Sequence, residues 1–100
     1  NLKNRDMVVK INDVKSYDGF ERHVEGSIDL DGNNVYEFVL DTYDGFTSIH
    51  LIYGDGWVNL EEEDDCELLN IEDGYEVYDF ILDDVNFKGY SFIGEEFEWD

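Results

Sequence analysis

The sequence predicts a mostly β fold, α+β at the margin: a single antiparallel meander of about six strands, curled into a bent sheet or small barrel, with one short helix or acidic loop near residues 60–70. Three observations lead there. The chain contains no Ala, Gln or Pro, and its apolar residues are mostly Val, Ile, Phe, Tyr and Trp, which favour strands over helices. Asp-Gly steps followed by an aromatic residue recur at Asp18-Gly19-Phe20, Asp44-Gly45-Phe46, Asp55-Gly56-Trp57 and Asp73-Gly74-Tyr75, with a further turn signal at Asp31-Gly32-Asn33-Asn34. Asp-Gly between strand-like runs marks a hairpin because both residues tolerate positive φ. Between these steps, apolar and polar residues alternate as in a sheet with one wet face.

Taken in order, Met7 to Val14 reads as the first strand. Phe20 to Leu30 follows, with Phe20, Val24, Ile28 and Leu30 on the face of Arg22 and Gly26, and Glu21, His23, Glu25 and Asp29 on the other. Val35 to Asp41 turns Tyr36, Phe38 and Leu40 inward and Glu37 and Asp41 outward. Phe46 to Tyr53 and a short piece, Trp57 to Leu60, come next. In residues 60–71, Asn59 with Glu62 three positions on suggests a helix start, acids crowd its first turn, and Leu68, Leu69 and Ile71 anchor its end. Tyr75 to Val85 then reads as a strand, with Tyr78, Phe80 and Leu82 opposite Asp79 and Asp83, followed by Phe87 to Ile93 and Phe97 to Trp99.

One hundred residues suffice for one domain, spanning 1–100, with a modest core. The charge is extreme: 27 acids against six Lys and Arg, a net of −21. An aromatic content of 16% separates the chain from disordered acidic tails, which are poor in such residues. The charge is also uneven. Residues 1–22 hold five bases and four acids, a net of +1, whereas residues 23–100 hold 23 acids and Lys88 alone, a net of −22.

Catalysis has little support. His23, His50 and Cys66 are scattered, and no glycine-rich phosphate loop is present. An EF-hand loop counted from Asp29 would need Gly at its sixth and Glu at its twelfth position, where Asn34 and Leu40 stand. The protein is therefore read as no enzyme, with no cofactor and no dedicated metal site. The lone cysteine excludes an internal disulfide, and no apolar run is long enough to span a membrane. No signal peptide is read, and the expected location is the cytoplasm, the host's if the protein is phage-encoded.

The acids themselves are the main signal. They cluster at Glu61, Glu62, Glu63, Asp64, Asp65 and Glu67, then Glu72 and Asp73, then Glu76, Asp79, Asp83 and Asp84, and finally Glu95 and Glu96 with Glu98 and Asp100. Such a charge strains the compact state by self-repulsion, so a compensation is expected. Salt adaptation is disfavoured because the Ala typical of halophilic proteins is missing. A basic partner is the other compensation. Carboxylates on alternate strand residues lie about 6.7 Å apart. That is the scale of a phosphate row, whose charges repeat about every 3.4 Å along one strand. The expected role is an inhibitor that occupies the basic nucleic-acid-binding surface of an enzyme such as a nuclease or CRISPR effector, in the manner of phage anti-CRISPR or anti-restriction proteins. It would not bind nucleic acid or membrane itself. Trp57, Tyr75, Tyr90 and Trp99 are candidate rim contacts. The alternatives are an immunity protein against a nuclease toxin, or an acidic protein-interaction or divalent-ion-binding module. The sequence leaves the oligomeric state open, along with whether the acids form one stripe or several patches.

Overall fold

The computed structural model describes residues 7–17 and 21–86. Five strands form one curled, unclosed antiparallel sheet in the order of the chain: β1 (Val8–Tyr17), β2 (Glu21–Asp29), β3 (Val35–Tyr43), β4 (Phe46–Tyr53) and β5 (Gly56–Asn59). Two short helices follow, α1 (Glu63–Glu67) and α2 (Gly74–Asp84). The fold is thus mostly β with a small α component, as the composition predicts.

The alternation in the sequence places the core. Cross-strand pairing lines up Val24, Leu40 and Ile49 in one row and Gly26, Phe38, Leu51 and Val58 in the next. All of them are buried. The opposite face carries His23, Glu25, Glu37, Asp41, Ser48 and His50, all half-buried or exposed. In β1 the register shifts between Ile11 and Asp13. The bulge separates the Val9–Ile28 and Ile11–Gly26 pairs from the Val14–Val24 pair beyond it, and an extra residue of this kind strengthens the local twist.

The turns follow their chemistry with two exceptions. Asp44 and Gly45 have φ of 53° and 84° and join β3 to β4 as a two-residue turn with Tyr43 paired to Phe46. Residues 30–34 close by hydrogen bonds: Asp29 Oδ1 accepts from the Gly32 amide at 2.7 Å, and Asp31 Oδ1 accepts from those of Asn33 and Asn34. The β4–β5 turn lies one residue earlier than expected. Its two residues are Gly54, with φ of 61°, and Asp55, while Gly56 already pairs with Tyr53. A glycine in the first central position suits a type II′ turn. Asp18-Gly19-Phe20, Phe87 to Ile93 and Phe97 to Trp99 lie outside the described residues.

The second exception is larger. Tyr75 to Val85, expected as a strand, is the helix α2 and its C-cap. Asp73-Gly74 is no hairpin turn: the Asp73 carboxylate accepts from the Tyr75 and Glu76 amides and caps the helix. The segment fits both periods. Tyr78, Phe80 and Leu82 alternate at two, but Val77, Ile81 and Val85 recur at four, and these three are the buried ones. They join the same cluster as Ile28, Phe38 and Leu51, so α2 covers the sheet's inner face. The Tyr78 hydroxyl donates to the Thr47 carbonyl at 3.0 Å, tying the helix to β4.

The helix expected near 60–70 is α1, but its entry differs. Glu62 occupies the N-cap position without a side-chain bond, while Asn59 Oδ1 accepts from the Glu61 amide at 2.8 Å and shapes the turn before it. Asp65 reaches back to accept from the Asn59 amide at 3.0 Å. At the far end, Asn70 adopts φ of 58°, and the Ile71 amide donates to the Cys66 carbonyl. This is a Schellman-type exit, and its apolar partners Cys66 and Ile71 are both buried. Leu69 is buried with them, whereas Leu68 is exposed.

Cys66 is 3% exposed, and its thiol points at the Leu60 carbonyl 3.5 Å away. Burial, reinforced by Asp65, Asp73 and Glu63, pushes the thiol up from its ordinary pKa. The thiolate is the reactive form. Cys66 is therefore expected to resist a thiol reagent such as DTNB in the native state and to react fully in denaturant. Rapid native labelling would contradict the packing of α1.

Candidate functional site

Residues 61–84 hold twelve acids and no Lys, Arg or His. The fold places all twelve in the helical layer: on the approach to α1, on α1, in the link between the helices, and on α2. Glu61, Glu62, Glu63, Asp64, Glu67, Glu72, Asp73, Asp79 and Asp83 are exposed, while Asp65, Glu76 and Asp84 are half-buried. The expected rows along a strand are therefore replaced, over 75–85, by a helical stripe. Tyr75, Asp79 and Asp83 stand four residues apart and are all exposed. Four residues of helix rise about 6 Å, close to the strand spacing the sequence suggested.

The acidic segments converge. Burial, then the Glu61 carboxylate, then that of Asp79 hold the Tyr78 phenol above its ordinary pKa, so acids from before α1 and from α2 share one neighbourhood. At Cys66 the charges of Asp65 and Glu63 of α1 and of Asp73, the cap of α2, all act to raise the thiol. Not all of these acids are equivalent. Asp65 and Asp73 hold backbone amides and stabilise the fold. Asp83 holds none: it is exposed in the last turn of α2, which has no basic residue, where the helix dipole disfavours negative charge, while Asp84 is half-buried and has an interaction of its own. Glu95 and Glu96 lie outside the described residues, as do the rim candidates Tyr90 and Trp99. Trp57 and Tyr75 are 58% and 56% exposed, in keeping with a contact role, and Tyr43 and Phe46 at the β3–β4 turn are exposed aromatics the sequence did not single out.

The outer sheet face holds a second charged cluster. His23, scattered from His50 and Cys66 in the sequence, lies between two carboxylates: Nδ1 is 2.6 Å from Asp41 Oδ1 and Nε2 is 2.8 Å from Glu25 Oε2. Glu25, two residues along the same strand, was legible in the sequence. Asp41 was not, because it arrives through the β2–β3 register. The bond to Glu25, with help from Asp41, raises the His23 pKa above its ordinary 6.5, against a smaller opposing effect of burial. A raised folded-state value means that the pairing contributes below the unfolded pKa and is lost as pH rises through the folded one. The His23 ring resonances are expected to titrate with a midpoint above 6.5, and Glu25→Gln should lower it. A midpoint at or below the ordinary value would contradict the geometry. The contribution to stability is that of a surface pair, at most about 1 kcal/mol.

Among the described residues, no group of three or more His, Cys, Asp or Glu is arranged to hold a metal ion, and no helix is long and apolar enough to cross a membrane. What the fold and surface define is a class: an acidic, mostly β domain whose negative charge is concentrated on its helical layer. Comparison with protein families, curated proteins and solved structures finds no match for this chain.

Proposed function

We propose that the protein is an acidic inhibitor that occupies the basic nucleic-acid-binding surface of an enzyme, in the manner of phage anti-CRISPR or anti-restriction factors. The observation that carries this reading is the exposed acidic helical layer, above all the pair Asp79 and Asp83. These acids contribute no capping bond, and the second stands where the helix dipole opposes it. Lysine at that place would favour the helix, so the carboxylate there serves something other than the fold.

The chemistry of the reading is charge complementarity. An acidic surface entering a free groove lined with Lys and Arg releases the counterions held there, and opposite fields speed the encounter. The exposed Tyr75, on α2 with Asp79 and Asp83, supplies apolar contact beside the acids, whereas Trp57 lies against His50 on the outer sheet face.

The test is capture from host lysate on immobilised protein at low salt, with elution along a salt gradient, followed by competition of the captured enzyme with its own nucleic acid. A basic nucleic-acid-acting protein should elute steeply with salt and be displaced by DNA or RNA. Binding indifferent to ionic strength, or a ternary complex holding nucleic acid and this protein together, sinks the reading.

A further inference from the structure

His23 stands half-buried on the outer face of the sheet, near the open end of the β2–β3 pair. Its partner across the ladder is Asp41, one step in from the Arg22–Thr42 pair that ends it, whereas the 30–34 loop closes the other end. Both ring nitrogens face carboxylates at hydrogen-bond distance: Nδ1 is 2.6 Å from Asp41 Oδ1, and Nε2 is 2.8 Å from Glu25 Oε2. An ionised carboxylate only accepts, and a neutral imidazole carries a single N–H. A neutral ring would therefore serve one of these carboxylates and turn a lone pair on the other. Only the imidazolium donates to both, so the contacts themselves demand a proton on each nitrogen.

We propose that His23 is a proton-operated clasp between β2 and β3. With the imidazolium it holds Glu25 and Asp41 at once. On losing a proton it lets one of them go, which loosens the open end of the strand pair and makes the outer sheet face more negative by one charge. The clasp is independent of the inhibitor reading. Its charged surroundings are set by the register. Asp41 faces it from β3, Lys15 stands opposite it in β1, and Asp13 of β1 stands opposite Glu25. Glu21 and Glu25 flank it on its own side of β2. Acids outnumber cations among these groups, so the surroundings favour the charged ring, in line with the upward direction of its pKa. The helix α2 covers the inner face of the sheet and lies away from the ring. Because the folded value is raised above the unfolded one, the clasp contributes fully below the unfolded pKa and is lost as pH rises through the folded one.

The test is an NMR titration of the ¹³C,¹⁵N-labelled protein across the His23 midpoint. Below it, both ring nitrogens should read as protonated. The Glu25 and Asp41 carboxyl carbons should shift at that same midpoint, and ring contacts to one of the two side chains should disappear above it. Amide exchange at Val24 and Leu40 is measured relative to Ile28 and Tyr36 near the closed end, so that the common effect of pH cancels. That ratio should rise by about two- to fivefold, the factor an exposed pair can carry. Glu25→Gln and Asp41→Asn should each lower the midpoint more than Asp79→Asn, which removes a charge from the helical layer. His23→Gln should abolish the carboxyl shifts. It should melt below the parent protein under pH 6.5 and level with it above the midpoint. Carboxyl signals that ignore the midpoint, ring contacts to both side chains that persist above it, or an equal effect of Asp79→Asn overturn the clasp. The titration of the parent protein needs no variant, so a substitution that disturbs the fold leaves the test standing.

Discussion

Reversing Glu61, Glu62, Glu67, Asp79 and Asp83 to lysine is expected to abolish binding to the basic partner while leaving the fold at least as stable. Each reversal adds two charges, so five take the net from −21 to −11. All five side chains are exposed, and none accepts a backbone hydrogen bond that a cap or turn requires. On the binding side, close charge pairs across an interface are worth about 1.5 kcal/mol or more each, and about 1.4 kcal/mol is a factor of ten. Losing several, and replacing attraction by repulsion, should carry the affinity down by several orders of magnitude at low salt. On the folding side, lysine at 83 meets a favourable dipole worth about 0.3–1 kcal/mol, and every reversal relieves self-repulsion. Binding at low salt and thermal melting of the same variant decide the matter. Unchanged affinity would place the contact surface elsewhere, and a large loss of melting temperature would show that these acids hold the fold after all. Asp65 and Asp73 are left alone for that reason, since their carboxylates accept the Asn59, Tyr75 and Glu76 amides.

Gly26→Ala is expected to destabilise the protein by about 1–3 kcal/mol or more, the cost of overpacking a well-filled core. A Cβ at position 26 would stand 2.7 Å from the Phe38 ring and 2.2 Å from the Lys10 carbonyl oxygen. The ring is fully buried between Gly26 and Leu51 in its cross-strand row, so it has little room to move. The carbonyl belongs to the β1 backbone just before the register shift and cannot rotate away. Phe38→Leu should therefore rescue Gly26→Ala only in part, because it relieves the ring and not the carbonyl. A melting temperature for Gly26→Ala equal to that of the parent protein would mean that β1 does not pair where it is described. The position reads in the sequence as a plain inward site of an alternating strand. Only the neighbouring strands make it a place for glycine.

Much of the sheet was legible beforehand because its signals are local. The alternation of Val24, Gly26 and Ile28 with His23, Glu25 and Asp29 decides which face of β2 is dry, and Asp44-Gly45 supplies the positive φ values that a two-residue turn needs. Around Gly54-Asp55-Gly56 the same chemistry was read one residue too late, since either glycine can serve a tight turn and pairing with Tyr53 chooses between them. The candidate site was legible as a list of acids and not as a surface. That Asp73 is a cap, that Asp65 is a turn ligand, and that Glu61 and Asp79 both act on the Tyr78 phenol are all matters of three-dimensional placement.

By itself the sequence determined the strand-rich character, the faces of the central strands, and the concentration of negative charge in residues 61–84. Each of these follows from side-chain chemistry and a period of two. The tertiary structure alone decided that Tyr75 to Val85 is helical. The segment carries a two-residue and a four-residue apolar pattern at once, and the balance falls to the helix because Val77, Ile81 and Val85 can then cover the open inner face of the sheet. It also decided the second partner of His23, Asp41, which depends on strand register. The acidity of this protein is therefore a property of its sequence, while the surface on which that acidity acts is a property of its fold.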